Sequence, residues 1–102
     1  MAKFLVIYHG SGTGMPHDPV LMAQAKEAFD KWVAKVGNAV VDVGAPVRMV
    51  AQVSNSSANE PVDVNGYSII EAATSEDAVR LLQSHPFVGR GGILQVNELM
   101  VV

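Results

Sequence analysis

The sequence predicts an α+β domain of the ferredoxin-like kind: four antiparallel strands in the order βαββαβ, with both helices on one face of the sheet. Three observations carry this. The stretch from Gly66 to Val96 reads as a strand, a capped helix, a glycine turn and a second strand. The chain from Phe4 to Val53 follows the same plan. At 102 residues there is room for one core and not for two, so both copies belong to a single domain.

Phe4 to Tyr8 is a continuous apolar run, which suits a central strand covered on both faces. His9 closes it, and the glycine-rich segment from Gly10 to His17 reads as a loop. Asp18 before Pro19 is a helix start: aspartate as N-cap, and proline at the first helical position, where its missing N–H costs nothing. Met22, Ala25, Phe29, Trp32 and Val36 then form one apolar stripe, with Lys26–Asp30 and Glu27–Lys31 as i,i+4 pairs outside it. Gly37 supplies the left-handed stop.

Ala39 to Val43 is a short β-prone run, and Gly44 to Pro46 reads as the turn that ends it, with Asp42 as a turn acceptor. The alternation of Val47, Met49, Ala51 and Val53 predicts the second strand of the sheet, near an edge. The polar run from Ser54 to Asn65 is the one long loop. Tyr67, Ile69 and Ile70 mark the third strand. Thr74 with Asp77 approximates a capping box, and the helix that follows places Ala78, Leu81, Leu82 and His85 on one face. Pro86 is expected to end that helix, Gly89, Gly91 and Gly92 to turn the chain, and Ile93 to Leu99 to form the last strand.

Hydrophobic residues make up 49% of the chain and charged ones 17%, with a formal charge of −3. A small domain this rich in apolar residues has more of them than its interior can hold, so the helix-free face of the sheet is expected to dock a second copy and give a homodimer. Seven scattered Lys and Arg make no basic patch, which argues against nucleic acid. No run reaches membrane-spanning length, and the apolar run near the N-terminus is too short for a signal-peptide core, so a soluble cytoplasmic protein is expected. There is no cysteine, hence no disulfide framework and no thiolate zinc site.

In a βαββαβ unit the end of the first strand, the start of the first helix and the end of the second helix meet at one pole. That topology gathers His9, His17 and His85, the three histidines of the chain, beside the Ser54 to Asn65 loop. Two readings of them stand. In one, a pocket at this pole uses His85 or His9 as general base, with Tyr8, His17, Tyr67 and Phe87 as ligand-binding residues. In the other, His85 is a cation on the carbonyl end of its helix and His9 a satisfied strand-end residue. The histidine spacing matches no metal motif. Gly10, Gly12 and Gly14 lack the spacing of a phosphate loop, and Pro16 and Pro19 remove amides an anion would need, so no metal or cofactor is expected.

Phe4-Leu-Val-Ile-Tyr-His, Trp32, Val41-Asp-Val-Gly-Ala-Pro, Gly66-Tyr-Ser-Ile-Ile-Glu-Ala, Ser84-His-Pro-Phe and the terminal Gly-Gly-Ile-Leu-Gln-Val-Asn-Glu-Leu-Met together resemble the YCII-related (DGPF-type) domain family. The resemblance spans nearly the whole chain apart from the Ser54 to Asn65 loop. It implies a dimeric α+β barrel, two ferredoxin-like units packed sheet to sheet, similar to muconolactone isomerases and cofactor-free monooxygenases. It implies no single reaction, since a fold hosts many. The His and Asp pair proposed for the best-described members carries over to Lys26, or a residue beside it, and to His85, so the pair is absent as written. The expected function is a homodimeric module that binds a small apolar or carbonyl-bearing ligand or associates with a partner protein. The alternative is a cofactor-independent enzyme moving a proton on an apolar metabolite, with His85 as base and His9 and Tyr8 shaping the site.

Overall fold

The computed structural model describes residues 1–10, 18–55 and 64–102. Four strands form one antiparallel sheet: β1 (Ala2–His9), β2 (Val40–Pro46), β3 (Gly66–Ala72) and β4 (Ile93–Glu98), in the spatial order β2-β3-β1-β4. Helix α1 (Pro19–Val36) connects β1 to β2. Helix α2 (Ser75–Leu82) and a single turn, α3 (Pro86–Gly89), connect β3 to β4. This is the ferredoxin-like βαββαβ arrangement, with α3 as an addition.

Strand alternation sorts the side chains. Phe4, Val6, Tyr8, Ser68, Ile70 and Ala72 face the helices, and Phe4 and Val6 are 1% and 0% exposed. Trp32 from α1 and Ala78 and Leu82 from α2 close the core over them. Trp32 Nε1 donates to the Leu81 carbonyl at 3.2 Å, which satisfies its polar edge inside that apolar layer and ties the two helices together. Leu5, Ile7, Tyr67 and Ile69 lie on the other face, which no helix among the described residues covers.

Both main helices start where their caps predict. The Asp18 carboxylate accepts from the amides of Val20 and Leu21 ahead of Pro19, and the Thr74 hydroxyl accepts from the Asp77 amide at 3.1 Å. The Asp77 side chain does not complete a capping box; it pairs with Arg80 at 2.8 Å instead. Lys26–Asp30 and Glu27–Lys31 pair along the exposed side of α1, and Gly37 ends it at φ 59°.

Two expectations are corrected. The second strand of the sheet is Val40–Pro46, and residues 47–54, alternating though they are, carry no ladder. Gly44 to Pro46 is thus strand and not turn. The register slips between Asp42 and Ala45, so Val43 and Gly44 together stand opposite Ser68 in a bulge. Gly44 takes φ 74° there, its amide bonds the Asp42 carboxylate at 2.8 Å, and a Cβ would collide with the Tyr67 carbonyl. The second correction concerns His85. Helix α2 stops at Leu82, so His85 is not on its face; Pro86 opens the next helical turn, with His85 as its N-cap.

Candidate functional site

A cavity of about 490 Å³ lies at the pole where β1 ends and β3 begins, between the N-terminal half of α1, α3 and the bulged strand β2. Its walls are mostly apolar: Met22, Ala25, Phe29, Phe87 and the backbone of the β2 bulge. At its inner end sit Tyr8, Ser68 and His85; at its mouth are the exposed cations Lys26 and Arg90. A space of this size and lining is typical of a small-molecule site.

The inner end is a relay of hydrogen bonds whose direction is fixed from both ends. The Phe87 amide can only donate, and it does so to His85 Nδ1 at 3.0 Å. A neutral imidazole with Nδ1 accepting carries its hydrogen on Nε2, so the 2.8 Å contact to the Tyr8 hydroxyl is donated by His85. At the other end the Val43 carbonyl can only accept, and Ser68 Oγ donates to it at 2.8 Å. The hydrogen of Ser68 is thereby spent, so the 2.9 Å bond between Tyr8 and Ser68 has tyrosine as donor. The order is Phe87 amide, His85, Tyr8, Ser68, Val43 carbonyl, and each end is main chain.

The surroundings keep the ring neutral. His85 is 3% exposed and packed by Trp32 (ring centroids 4.5 Å), Tyr8 (5.1 Å, edge-on) and Phe29 (5.6 Å). Burial, with the positive charge of Arg90 adding to it, lowers its pKa to about 4. Protonation would also turn Nδ1 into a second donor facing the Phe87 amide. Burial raises the Tyr8 phenol above its ordinary value, while its bond to Ser68 pulls the other way. Near neutral pH both groups therefore hold their protons as drawn.

The reading of His85 as a cation on helix carbonyls is overturned: it is neutral and caps α3 as an acceptor. As a general base it offers no unspent lone pair in this arrangement. His9 does not join it. Strand alternation sends His9 to the helix-free face, where its Nε2 meets Gln95 Oε1 at 2.7 Å. His9 and His85 therefore lie on opposite faces of the sheet, and His17 lies outside the described residues. Tyr8 and Phe87 both border the cavity, their rings 5.1 Å apart and Phe87 3% exposed. Tyr67 contributes to the wall where β3 begins, but pairs with Ile7 and turns its ring to the helix-free face. Lys26 borders the same cavity as His85, so the two positions singled out by the family resemblance share one space.

Sequence reasoning missed Ser68. The available signal was its place in the inward-facing set Gly66, Ser68, Ile70, Ala72, where a lone hydroxyl among apolar residues, 2% exposed, needs partners. Among the described residues no buried side-chain nitrogen or oxygen lacks one, and no group of three His, Cys, Asp or Glu side chains could hold a metal ion.

Fold and site together define a class, a ferredoxin-like α+β domain with an apolar cavity between its helical layer and the end of its sheet. No protein-family model matches the chain, and no curated protein sequence matches it. Among solved structures, it is similar to 5-chloro-2-hydroxyhydroquinone dehydrochlorinase (TftG) from Burkholderia phenoliruptrix AC1100, determined in complex with 2,5-dihydroxybenzoquinone. The identity is 14%, the TM-score 0.55, and the match covers 91% of this chain and 90% of that one. At that identity the likeness concerns the fold.

Proposed function

We propose that this protein is a homodimeric small-ligand-binding module of the YCII-related (DGPF-type) kind, taking a flat, mainly apolar molecule into the cavity beside Tyr8, Ser68 and His85. The observation that carries this reading is the relay. A proton-transfer site needs a group able to gain or lose a proton, whereas here both ends of the chain of bonds are held by main chain, next to an apolar space of ligand size. The dimer part rests on the helix-free face, where Leu5, Ile7, Tyr67 and Ile69 form an apolar patch that a monomer would leave half in water.

Thermal-shift screening of aromatic compounds tests the ligand, with Ala25→Phe as control because Ala25 lines the cavity and is buried. Hits that stabilise the wild type and leave folded Ala25→Phe unmoved support binding there; hits that persist in the variant place it elsewhere and end the reading. For the dimer, sedimentation is expected to show two copies for the wild type and one for Ile69→Lys.

A second reading, a cofactor-independent enzyme, is favoured by Lys26 and His85 facing one cavity and by the dehydrochlorinase of the same fold. In it, the Phe87 amide must release Nδ1 before His85 acts as base. Ring-hydroxylated and chlorinated aromatics, of the kind that neighbour is named for, are the first substrates to try. Turnover lost in both Lys26→Met and His85→Gln would establish this reading over the first.

A further inference from the structure

We infer that the inner end of the cavity selects a hydrogen-bond donor, so that its ligand is a hydroxyl-bearing aromatic ring directing its O–H at the Tyr8 and Ser68 oxygens. This rests on the ligand-binding reading above and narrows it. His85 spends its single N–H on Tyr8, Tyr8 spends its O–H on Ser68, and Ser68 spends its own on the Val43 carbonyl. What the relay leaves toward the cavity is lone pairs alone: a serine oxygen has two acceptor sites, and Tyr8 fills one of them.

Of the other side-chain donors that border the cavity, Lys26 and Arg90 are at its exposed mouth, Lys26 bonded to Asp30 at 2.9 Å and Arg90 over the Phe87 ring; Asn65, where β3 begins, gives an Nδ2 hydrogen to the Gly10 carbonyl at 2.9 Å, and Tyr67 turns its ring to the helix-free face. A carbonyl, ether or carboxylate pushed to the inner end would set acceptor against acceptor in a dry place. A phenolic O–H would instead extend the relay by one more donor. The rings of Phe29, Phe87 and Tyr8 in the wall suit a flat aromatic body behind that hydroxyl. A carbonyl-bearing ligand would find no unspent hydrogen on Tyr8, Ser68 or His85.

Calorimetric titration with four naphthalenes of one substitution pattern, bearing hydroxyl, methoxy, aldehyde or methyl, tests it. The wild type is expected to bind naphthol roughly tenfold or more tighter than the methoxy and aldehyde compounds, the scale set by one unsatisfied buried polar group. In Ser68→Ala the Tyr8 hydroxyl loses its acceptor and its hydrogen becomes available, so the aldehyde should gain on naphthol until the preference levels or inverts. Tyr8→Phe exposes the His85 N–H and should move the ratio the same way, which covers the case that Ser68→Ala does not fold. Aldehyde binding as tight as naphthol in the wild type overturns the donor rule while leaving the cavity a ligand site. If the methyl compound and the other three all fail to bind, the ligand-binding reading itself falls and the donor rule with it.

Discussion

Among the described residues, concavities lie at opposite ends of the helical layer, and the larger of this pair is the less promising. The one beside Tyr8 and His85 measures about 490 Å³ and is walled by apolar and aromatic groups. The other, about 740 Å³, lies where α1 ends and α2 begins, among Lys35, Glu71, Asp77, Arg80 and Gln83. Its charges sit in water, and the Arg80–Asp77 pair has side chains 74% and 41% exposed, so little there is held in place. At the inner end of the first, Tyr8, Ser68 and His85 are directed by one chain of bonds that main chain holds at both ends. Volume alone does not make a site; fixed polarity inside a dry wall does.

That contrast predicts a descending series of effects. His85→Ala removes a buried ring and both of its bonds, and chemical denaturation should show a loss of about 3–5 kcal/mol. A loss below about 1 kcal/mol would mean the relay is no more fixed than the charges at the other end. Next comes pH. The folded chain holds the His85 pKa near 4, against 6.5 for an ordinary histidine, so the unfolded chain binds a proton more readily between those values. Stability is expected to be complete above about pH 6.5 and to fall as pH drops toward 4, by on the order of 3 kcal/mol. The same fall in His85→Gln would assign it to another group.

Smaller effects belong to the far end. Thr74→Ala deletes the cap of α2 and should cost about 1 kcal/mol. Arg80→Ala removes an exposed pair and should cost less than about 0.5 kcal/mol, vanishing in high salt. If Arg80→Ala rivalled His85→Ala in a denaturant titration, the distinction between the two concavities would be lost.

The features legible in the sequence are those whose cause is local. Asp18 with Pro19, Thr74 and Gly37 each act within one helical turn, and both helices start at their caps. The position of the second strand was not legible, because Gly44-Ala-Pro has turn chemistry whether it makes a turn or a bulge, and only pairing with β3 decides between them. His85 before Pro86 repeats the pattern of Asp18 before Pro19, a capping side chain ahead of a proline at the first helical position. The same residues suit the end of the preceding helix equally well, since proline fits either side of such a boundary. Ser68 was illegible for a further reason: its partners Tyr8 and Val43 are 60 and 25 residues away. Its importance exists only once three strands lie side by side.

The kinked outer strand also limits how copies of this chain can meet. β2 is the outermost strand on its side among the described residues, and a straight margin invites a foreign strand to zip onto it. Here two residues bow out opposite Ser68, and Pro46, at the strand's end, has no amide hydrogen to offer. A second strand that met the β2 rim would find neither a straight ladder nor a full set of amides there.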